Sequence, residues 1–281
     1  MQAEDSAIAF RCGGDTLYGI LSLPAQPARR GVLVVVGGPQ YRAGSHRQFA
    51  LLARELAQQG IAAMRFDYRG MGDSEGEPRP FDDIGDDLRA ALDAFVAGVP
   101  GMEEVVLWGL CDGASAAAMY APGDARVRGL VLLNPWVRTP AGIARTTLKH
   151  YYRGRLLEPA LWKKVLRGHF NVRAAAASML ALVSSARKGE EAGEGAAPSL
   201  PERMLDGLSH SPGRVLVILS GADLTANEFS DMAAASPAWR ELLASPRITQ
   251  RRLERADHTF SRRAWRQQVA NWTADWTSSE K

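Results

Sequence analysis

The stretch VVLWGLCDGAS, residues 105–115, reads as an apolar run, a short glycine-flanked turn and a run of small residues. The apolar run is typical of a strand that is buried on both faces, and the small residues favour a short helix. Cys111 then lies in the turn, with Gly109 and Gly113 two residues away on either side. Cys111 is either a nucleophile held at the tip of a strained turn or a small buried side chain that packs like alanine.

Strand and helix patterns alternate on both sides of this stretch, after a predicted hairpin over residues 8–23. The predicted strands cover residues 31–38, 61–68, 104–110, 127–136, 214–223 and 248–258. The predicted helices cover residues 45–60, 81–98, 113–121 and 236–244, with a last one from about 261. This alternation predicts an α/β fold with a mostly parallel central sheet flanked by helices.

The alternation breaks over residues 138–205, where no clear strand pattern occurs. We interpret this segment as a helical lid inserted between two parts of one core, residues 1–137 and 206–281. Within it, residues 138–173 hold nine Lys or Arg and one acidic residue, with interleaved aromatic residues. Three explanations stay open: weak contact with a membrane surface, a recess for an anionic substrate, or a solvated helix face.

The composition sets limits on the class of protein. Apolar residues make up 46% of the 281 residues and charged residues 23%, which is typical of a globular core. No apolar run approaches the roughly 18 residues of a membrane span. A net charge of +3 gives no reason to expect a nucleic-acid partner. The start lacks a signal-peptide pattern, and Cys12 and Cys111 are expected to be reduced, so we expect a cytoplasmic protein.

Two further residues follow predicted strands, as Cys111 does. Asp223 comes directly after the apolar stretch RVLVILSG, residues 214–221, apart from one alanine, and His258 lies in ADHTF, where the last predicted strand ends. Functional residues of open α/β sheets lie beyond the carboxyl ends of the strands, so the three side chains are expected to meet. We predict a catalytic triad in which Cys111 is the nucleophile, His258 the base and Asp223 the acid.

Asp223 has one rival for the role of the acid. One further strand end could have supplied a carboxylate, but it does not. Asp257 is adjacent to His258 and is the nearest rival. The other position that could supply an acid, at the end of the strand 128–134, holds Asn134 rather than a carboxylate.

The oxyanion hole is expected to use two backbone amides. One is that of Asp112, directly after the nucleophile. The other lies in the loop after the strand 31–38, where Pro39 has no N–H, so we choose Gln40. The alternative is that Gly37 and Gly38 only make a tight turn. No metal-ligand spacing occurs, and neither a metal nor an organic cofactor is expected.

The segment FDYRGMGDSEG, residues 66–76, also follows a strand. Asp73 and Ser74 are read here as parts of a structural turn stabilised by an Asp–Arg pair rather than as catalytic residues.

Taken together, these motifs resemble the α/β-hydrolase superfamily over nearly the whole chain. The resemblance rests on G-x-C-x-G, FDYRGMGDSEG, SGAD and ADHTF, in this order. Longer strings resemble the exosortase A system-associated hydrolases, type 1: VVGGPQYRAGSHRQF, GLCDGASAA, NPWVRT and SGADLTANEF. That resemblance implies a bacterial cytoplasmic hydrolase linked to exopolysaccharide and exosortase genes. The chain departs from the superfamily in carrying cysteine for serine, as dienelactone hydrolases do.

The sequence therefore predicts a hydrolase of esters or thioesters that works on a small acyl substrate through an acyl-enzyme. Two alternatives stay open: an acyltransferase on the same triad, and a non-catalytic binding protein with this fold. The acyl group, the acceptor and the oligomeric state are left open.

Overall fold

The structure is a computed structural model that describes residues 4–26, 29–38, 40–138 and 197–279. It contains one eight-stranded sheet with the strand order β1-β2-β4-β3-β5-β6-β7-β8. The strands are β1 (Glu4–Cys12), β2 (Asp15–Leu23), β3 (Arg30–Val35), β4 (Ala62–Phe66), β5 (Glu104–Leu110), β6 (Val127–Leu133), β7 (Arg214–Ser220) and β8 (Ile248–Leu253).

Helices cover both faces of this sheet. In the described residues they are α1 (Gln48–Gln58), α2 (Gly85–Gly98), α3 (Asp112–Tyr120), α4 (Leu200–His210), α5 (Leu224–Ala235), α6 (Pro237–Ala244) and α7 (Arg263–Ser278). One apolar layer packs beneath α1 and α7, and the other packs beneath the helices α2 to α6. Burial of side chains on both faces explains why the central strands are continuous apolar runs.

The pairing of the strands sets the position of the functional residues. β1 pairs antiparallel with β2, and β2 antiparallel with β4, whereas every pair from β4 through β3 to β8 is parallel. The carboxyl ends of β3, β5, β6, β7 and β8 therefore meet at one edge of the sheet. β5, which leads to Cys111, lies between β3 and β6 in the middle of the sheet.

The structure confirms the α/β class, the mostly parallel sheet and the opening hairpin. Two described helices were not predicted: α4, which begins inside the segment read as the insertion, and α5, which follows Asp223 directly. Most of the predicted lid, including its basic stretch, lies outside the described residues. Among the described helices, none is long and apolar enough to cross a membrane.

Candidate active site

Cys111 lies at a strained turn between β5 and α3. Its backbone has φ 60° and ψ −124°, a conformation that residues other than glycine rarely adopt. The flanking glycines make this turn possible. A Cβ at Gly109 would lie 2.4 Å from the backbone of Gly113, and one at Gly113 would lie 2.4 Å from the Val35 carbonyl oxygen. The turn holds a half-buried thiol at the carboxyl edge of the sheet.

Asp223 and His258 come together at the same edge. The Nδ1 atom of His258 lies 2.9 Å from Oδ2 of Asp223. The same carboxylate oxygen accepts the amide of Ala226 at 3.0 Å, so Asp223 also caps the N-terminus of α5. The Asp223 side chain is 9% exposed and that of His258 34% exposed. The carboxylate is therefore fixed by the helix, and it fixes the orientation of the imidazole in turn.

The imidazole of His258 also has a hydrogen bond with the Cys111 side chain. The hydrogen bonds with Asp223 and Cys111 outweigh burial and raise the pKa of His258 from 6.5 to about 10. Burial alone would raise the pKa of Asp223, but the hydrogen bonds from His258 and the Ala226 amide lower it. A thiol, an imidazole and a carboxylate in one hydrogen-bonded chain can activate a nucleophile and shuttle its proton.

Asp257, the rival acid, faces another partner. Its carboxylate accepts hydrogen bonds from the amide of Ser261, at 2.9 Å, and from the Ser261 hydroxyl. These bonds close the turn that leads into α7. The structure thus brings Asp223, and not Asp257, into hydrogen-bond contact with the imidazole of His258.

Asn134 has a positioning role that the sequence did not reveal. Its Nδ2 donates to Ser220 Oγ at 2.6 Å and to the carbonyl oxygen of His258 at 3.0 Å. Its Oδ1 accepts the Ser220 amide at 2.8 Å. Asn134 is fully buried and adopts φ 43°, in the left-handed region that asparagine tolerates better than most residues. The side chain ties the ends of β6 and β7 to the backbone of the proposed base. The only signal in the sequence was an asparagine after a strand.

The expected oxyanion region contains an unexpected carboxylate. The Asp112 side chain accepts hydrogen bonds from the amides of Gly38 and Gly113, as well as from its own amide. Burial raises the pKa of Asp112, and these hydrogen bonds oppose the shift. A Cβ at Gly37 would lie 2.0 Å from Oδ1 of Asp112, so only glycine fits there. The Asp112 carboxylate thus holds the loop after β3 against the start of α3.

Gln40, chosen as the second amide donor, lies in that same loop. Its side-chain Oε1 accepts the amide of Ser45 at 3.4 Å, which closes the loop before α1. The amide of Gly38 is bonded to the Asp112 side chain, so the amide of Gln40 stays the candidate from the loop. The amide of Asp112, the other candidate, must exchange its bond with its own carboxylate for one with the oxyanion.

The 66–76 segment is structural, but its ion pairs differ from the single Asp–Arg pair that we expected. Buried Asp67 pairs with Arg42, whose amide it also accepts at 2.6 Å. Arg69 pairs with buried Asp87 of α2 at 2.9 Å. The Ser74 hydroxyl donates to the Asp67 carbonyl oxygen at 2.6 Å. Both ion pairs therefore link the segment to other parts of the core.

Metal binding receives no support from the part of the chain that the structure describes. Those residues contain no group of three or more His, Cys, Asp or Glu side chains that could hold a metal ion.

Comparison with solved structures places the fold among hydrolases. An esterase of Pyrococcus furiosus superposes with a TM-score of 0.65 at 13% identity, covering 98% of this chain and 90% of the esterase. The α/β hydrolase GrgF of a Penicillium species gives 0.63 at 19% identity, over 98% of each chain. A dienelactone hydrolase of Anabaena variabilis gives 0.62 at 17%, over 98% of this chain and 97% of that one. At these identities the likeness concerns the fold.

Comparison of sequences adds one curated relative and one family. The polyketide transferase claH of Penicillium crustosum is 30% identical over 129 residues, which is 44% of this chain and 42% of that protein. The match thus spans less than half the length of this relative. The model of the family described as serine aminopeptidase, S33, matches residues 27–180, more than half of the chain. With this match and the eight-stranded fold that carries it, the chain belongs to that α/β-hydrolase family.

Proposed function

We propose that the protein hydrolyses carboxylic esters or thioesters through a Cys-His-Asp triad and an acyl-enzyme. Cys111 is the nucleophile, His258 the general base and acid, and Asp223 the residue that orients His258. The amides of Asp112 and Gln40 bind the oxyanion. The observation that carries this proposal is the chain of hydrogen bonds from the Cys111 side chain through His258 to Asp223.

In the first half-reaction the Cys111 sulfur attacks the carbonyl carbon of the substrate. The thiol proton is held on His258, and the new S–C bond produces an oxyanion that the two amides stabilise. Collapse of this intermediate breaks the bond to the leaving alcohol or thiol, which takes the proton from His258. The product is a thioester on Cys111.

In the second half-reaction His258 takes a proton from water, and the oxygen attacks the thioester carbonyl. The C–S bond then breaks, the free acid leaves, and the proton returns to the sulfur–imidazole pair. Because a thiol ionises far more readily than a serine hydroxyl, the site suits activated acyl groups. We expect thioesters, aryl esters and activated lactones to react faster than amides.

The first test is the reactivity of Cys111 with iodoacetamide as a function of pH, followed by mass spectrometry. In the wild-type protein we expect Cys111 to be labelled rapidly at neutral pH, because His258 can take the thiol proton. His258→Ala should slow the labelling of Cys111 at neutral pH, because the sulfur loses its imidazole partner. Buried Cys12 provides an internal control that should label slowly in both proteins.

Equal labelling of Cys111 in the wild type and in His258→Ala would contradict the triad. A second measurement follows the acyl-enzyme directly. With a p-nitrophenyl ester, the intact mass should gain one acyl group in the wild type and none in Cys111→Ala. Hydrolysis by Cys111→Ala at the wild-type rate would contradict the role of the thiol.

Acyl transfer on the same triad is a second candidate, favoured by the similarity to a polyketide transferase. An alcohol or sugar hydroxyl then replaces water in the second half-reaction, so its oxygen forms the new ester and its proton passes to His258. The measurement is the ratio of ester product to free acid as acceptor is added. A ratio that rises and saturates favours transfer, whereas a ratio that stays at zero favours hydrolysis.

The biological setting is proposed from sequence resemblance alone. We propose a cytoplasmic role in a bacterial exopolysaccharide and exosortase system. Deletion of the gene should alter surface polysaccharide, and Cys111→Ala should fail to restore it. Restoration by Cys111→Ala would favour the non-catalytic binding protein instead. The proposed membrane contact of the basic lid concerns residues outside the described ranges, and pelleting with anionic liposomes tests it.

A further inference from the structure

Gln40 offers one of the two amides that the proposed function assigns to the oxyanion, and it lies in a loop. Neither a helix nor a strand includes Gln40 or the described residues beside it, 36–38 and 41–44. A donor lowers the energy of an oxyanion only if it already points at the oxygen before the reaction begins. The backbone around Gln40 therefore has to be held by contacts with other parts of the chain.

Two carboxylates hold this loop, one on each side of Gln40. The Asp112 side chain accepts the amide of Gly38. Arg42 is bonded twice to the Asp67 side chain, since its amide donates to Oδ1 at 2.6 Å and its guanidinium pairs with Oδ2. Gln40 thus lies two residues from each of the anchored positions.

The Asp67 carboxylate is itself fixed in place. Asp67 directly follows β4, and its amide donates to the carbonyl oxygen of Tyr18 in β2 at 3.0 Å. Its side chain is 0% exposed and also accepts the amide of Asp73 at 3.3 Å. The Arg42 guanidinium extends the contact to the Asp73 carboxylate at 2.5 Å. Because a buried carboxylate is stable only when it is paired and hydrogen-bonded, Asp67 and Arg42 depend on each other.

A second ion pair of the same segment makes the same kinds of contact but connects to another element. The amide of Arg69 donates to Asp87 Oδ1 at 2.8 Å, and its guanidinium donates to both oxygens of that carboxylate, at 3.0 and 2.9 Å. Both aspartate side chains are 0% exposed, and the arginine side chains are 17% exposed at Arg42 and 13% exposed at Arg69. The Arg69–Asp87 pair connects the segment to α2, whereas the Arg42–Asp67 pair connects it to the loop that contains Gln40.

We propose that the Arg42–Asp67 pair positions the amide of Gln40 for the oxyanion, which makes Arg42 and Asp67 positioning residues of the proposed ester hydrolase. This inference rests on the proposed function, and it identifies what holds the second oxyanion donor. Without the Arg42 guanidinium, the buried charge of Asp67 is left with backbone amides alone. Only single hydrogen bonds then hold the loop on either side of Gln40, and its amide is free to turn away from the oxyanion.

The test compares a reaction that forms an oxyanion with one that does not, both on the full chain. Hydrolysis of p-nitrophenyl acetate passes through an oxyanion, whereas alkylation of Cys111 by iodoacetamide displaces iodide from a methylene carbon and forms none. In Arg42→Ala we expect kcat for the ester to fall about tenfold with little change in KM, because a misplaced oxyanion donor is missed mainly in the transition state. The rate at which Cys111 is alkylated should equal that of the wild type, because the triad is intact.

Arg69→Ala is the matched control. It should lower Tm about as much as Arg42→Ala does, because each variant leaves a buried carboxylate without its guanidinium, but it should keep the wild-type kcat. The proposal fails if Arg42→Ala keeps the wild-type kcat, or if Arg69→Ala loses as much kcat as Arg42→Ala. It also fails if Arg42→Ala slows ester hydrolysis and the alkylation of Cys111 in proportion, which would place the damage at the triad.

Should either arginine variant fail to fold, Asp67→Asn and Asp87→Asn make the same comparison, because asparagine keeps an acceptor for the arginine amide. Asp67→Asn should lower kcat and Asp87→Asn should not, and an equal kcat in the two variants would overturn the proposal. A wild-type protein that releases no p-nitrophenol and leaves Cys111 unlabelled would contradict the proposed function itself, and this inference with it.

Discussion

Asn134 shows how one buried side chain can determine the position of a proposed base. It is linked by hydrogen bonds to Ser220 and to the carbonyl oxygen of His258. We predict that Asn134→Gly, which tolerates the positive φ, destabilises the protein by about 1–3 kcal/mol through lost buried hydrogen bonds. It should also lower kcat, because the backbone of His258 loses its anchor. Urea denaturation and steady-state kinetics measure the two effects.

Asn134→Asp provides the comparison for this prediction. It retains an acceptor for the Ser220 amide but places a carboxylate beside the His258 carbonyl oxygen, so it should be the more harmful of the two variants. If Asn134→Gly kept wild-type stability and kcat, the anchoring role would be wrong.

A second prediction for a single residue concerns Asp112. Its carboxylate accepts the amides of Gly38 and Gly113, and so it holds the loop that contains Gln40. Asp112→Ala should release that loop and lower kcat about tenfold with little change in KM, since an oxyanion donor acts in the transition state. Asp112→Asn, which keeps an acceptor oxygen, should lose less. A kcat that does not differ between the two variants would contradict this role.

The sequence predicts those residues of the proposed site that directly follow a strand. Cys111, Asp223 and His258 each follow an apolar run, and the structure brings their side chains into contact. Their catalytic roles stay a prediction. The partners of Asn134 and Asp112 could not be predicted, because they depend on contacts across the sheet. Asn134 contacts residues 86 and 124 positions away in the chain.

At the scale of elements, α5 couples helix capping to the proposed catalytic geometry. Asp223 both caps α5 and accepts the hydrogen bond of His258. Serine is also a good N-cap but has no carboxylate. We therefore predict that Asp223→Ser loses most of the activity but is more stable than Asp223→Ala, although both variants lose the ion pair with His258. Asp223→Ala should lose the activity and a further 1 kcal/mol or so, roughly the value of one N-cap.

Thermal unfolding and esterase assays on both variants check this prediction. Equal stability of Asp223→Ser and Asp223→Ala would mean that the cap contributes little to α5. Wild-type activity of either variant would remove Asp223 from the mechanism.

The two helices that the sequence analysis did not predict, α4 and α5, differ in what hides them. α5 has the sequence LTANEFSDMAAA, in which small and polar residues obscure the apolar period, although Phe229 packs fully in the core. Its helical state is set by the Asp223 cap and by packing beneath the sheet. α4 begins with a capping box formed by Ser199 and Glu202, which marks a helix start in the sequence. The polar segment before this box shows no apolar period, and it favours an insertion rather than a helix of the core.

At the scale of the whole molecule, the proposed triad should make stability depend on pH. The pKa of His258 is raised from 6.5 to about 10, so folding favours its protonated form. This contribution is complete below about pH 6.5 and is lost as pH rises toward 10. Because the pKa of Asp223 is lowered, its carboxylate stays ionised throughout this range.

We therefore predict that the difference in Tm between the wild type and His258→Gln is largest near pH 6 and shrinks as pH approaches 10. Calorimetry of both proteins over this range measures it. Asp223→Asn should reduce this pH dependence, but less than His258→Gln does, because Cys111 also raises the pKa of His258. A difference in Tm that grew with pH would have the wrong sign and would contradict the ion pair.

The central place of β5 also has a dynamic consequence. The amide of Cys111 donates to the carbonyl oxygen of Leu133 at 2.9 Å, so the strained residue is tied to a neighbouring central strand. The Cys111 amide should exchange its hydrogen for deuterium among the slowest in the chain, because its hydrogen bond opens only when the core itself opens. The sulfur would then keep its direction through the local fluctuations of the surrounding loops. Loss of the Cys111 geometry on heating should coincide with global melting rather than precede it.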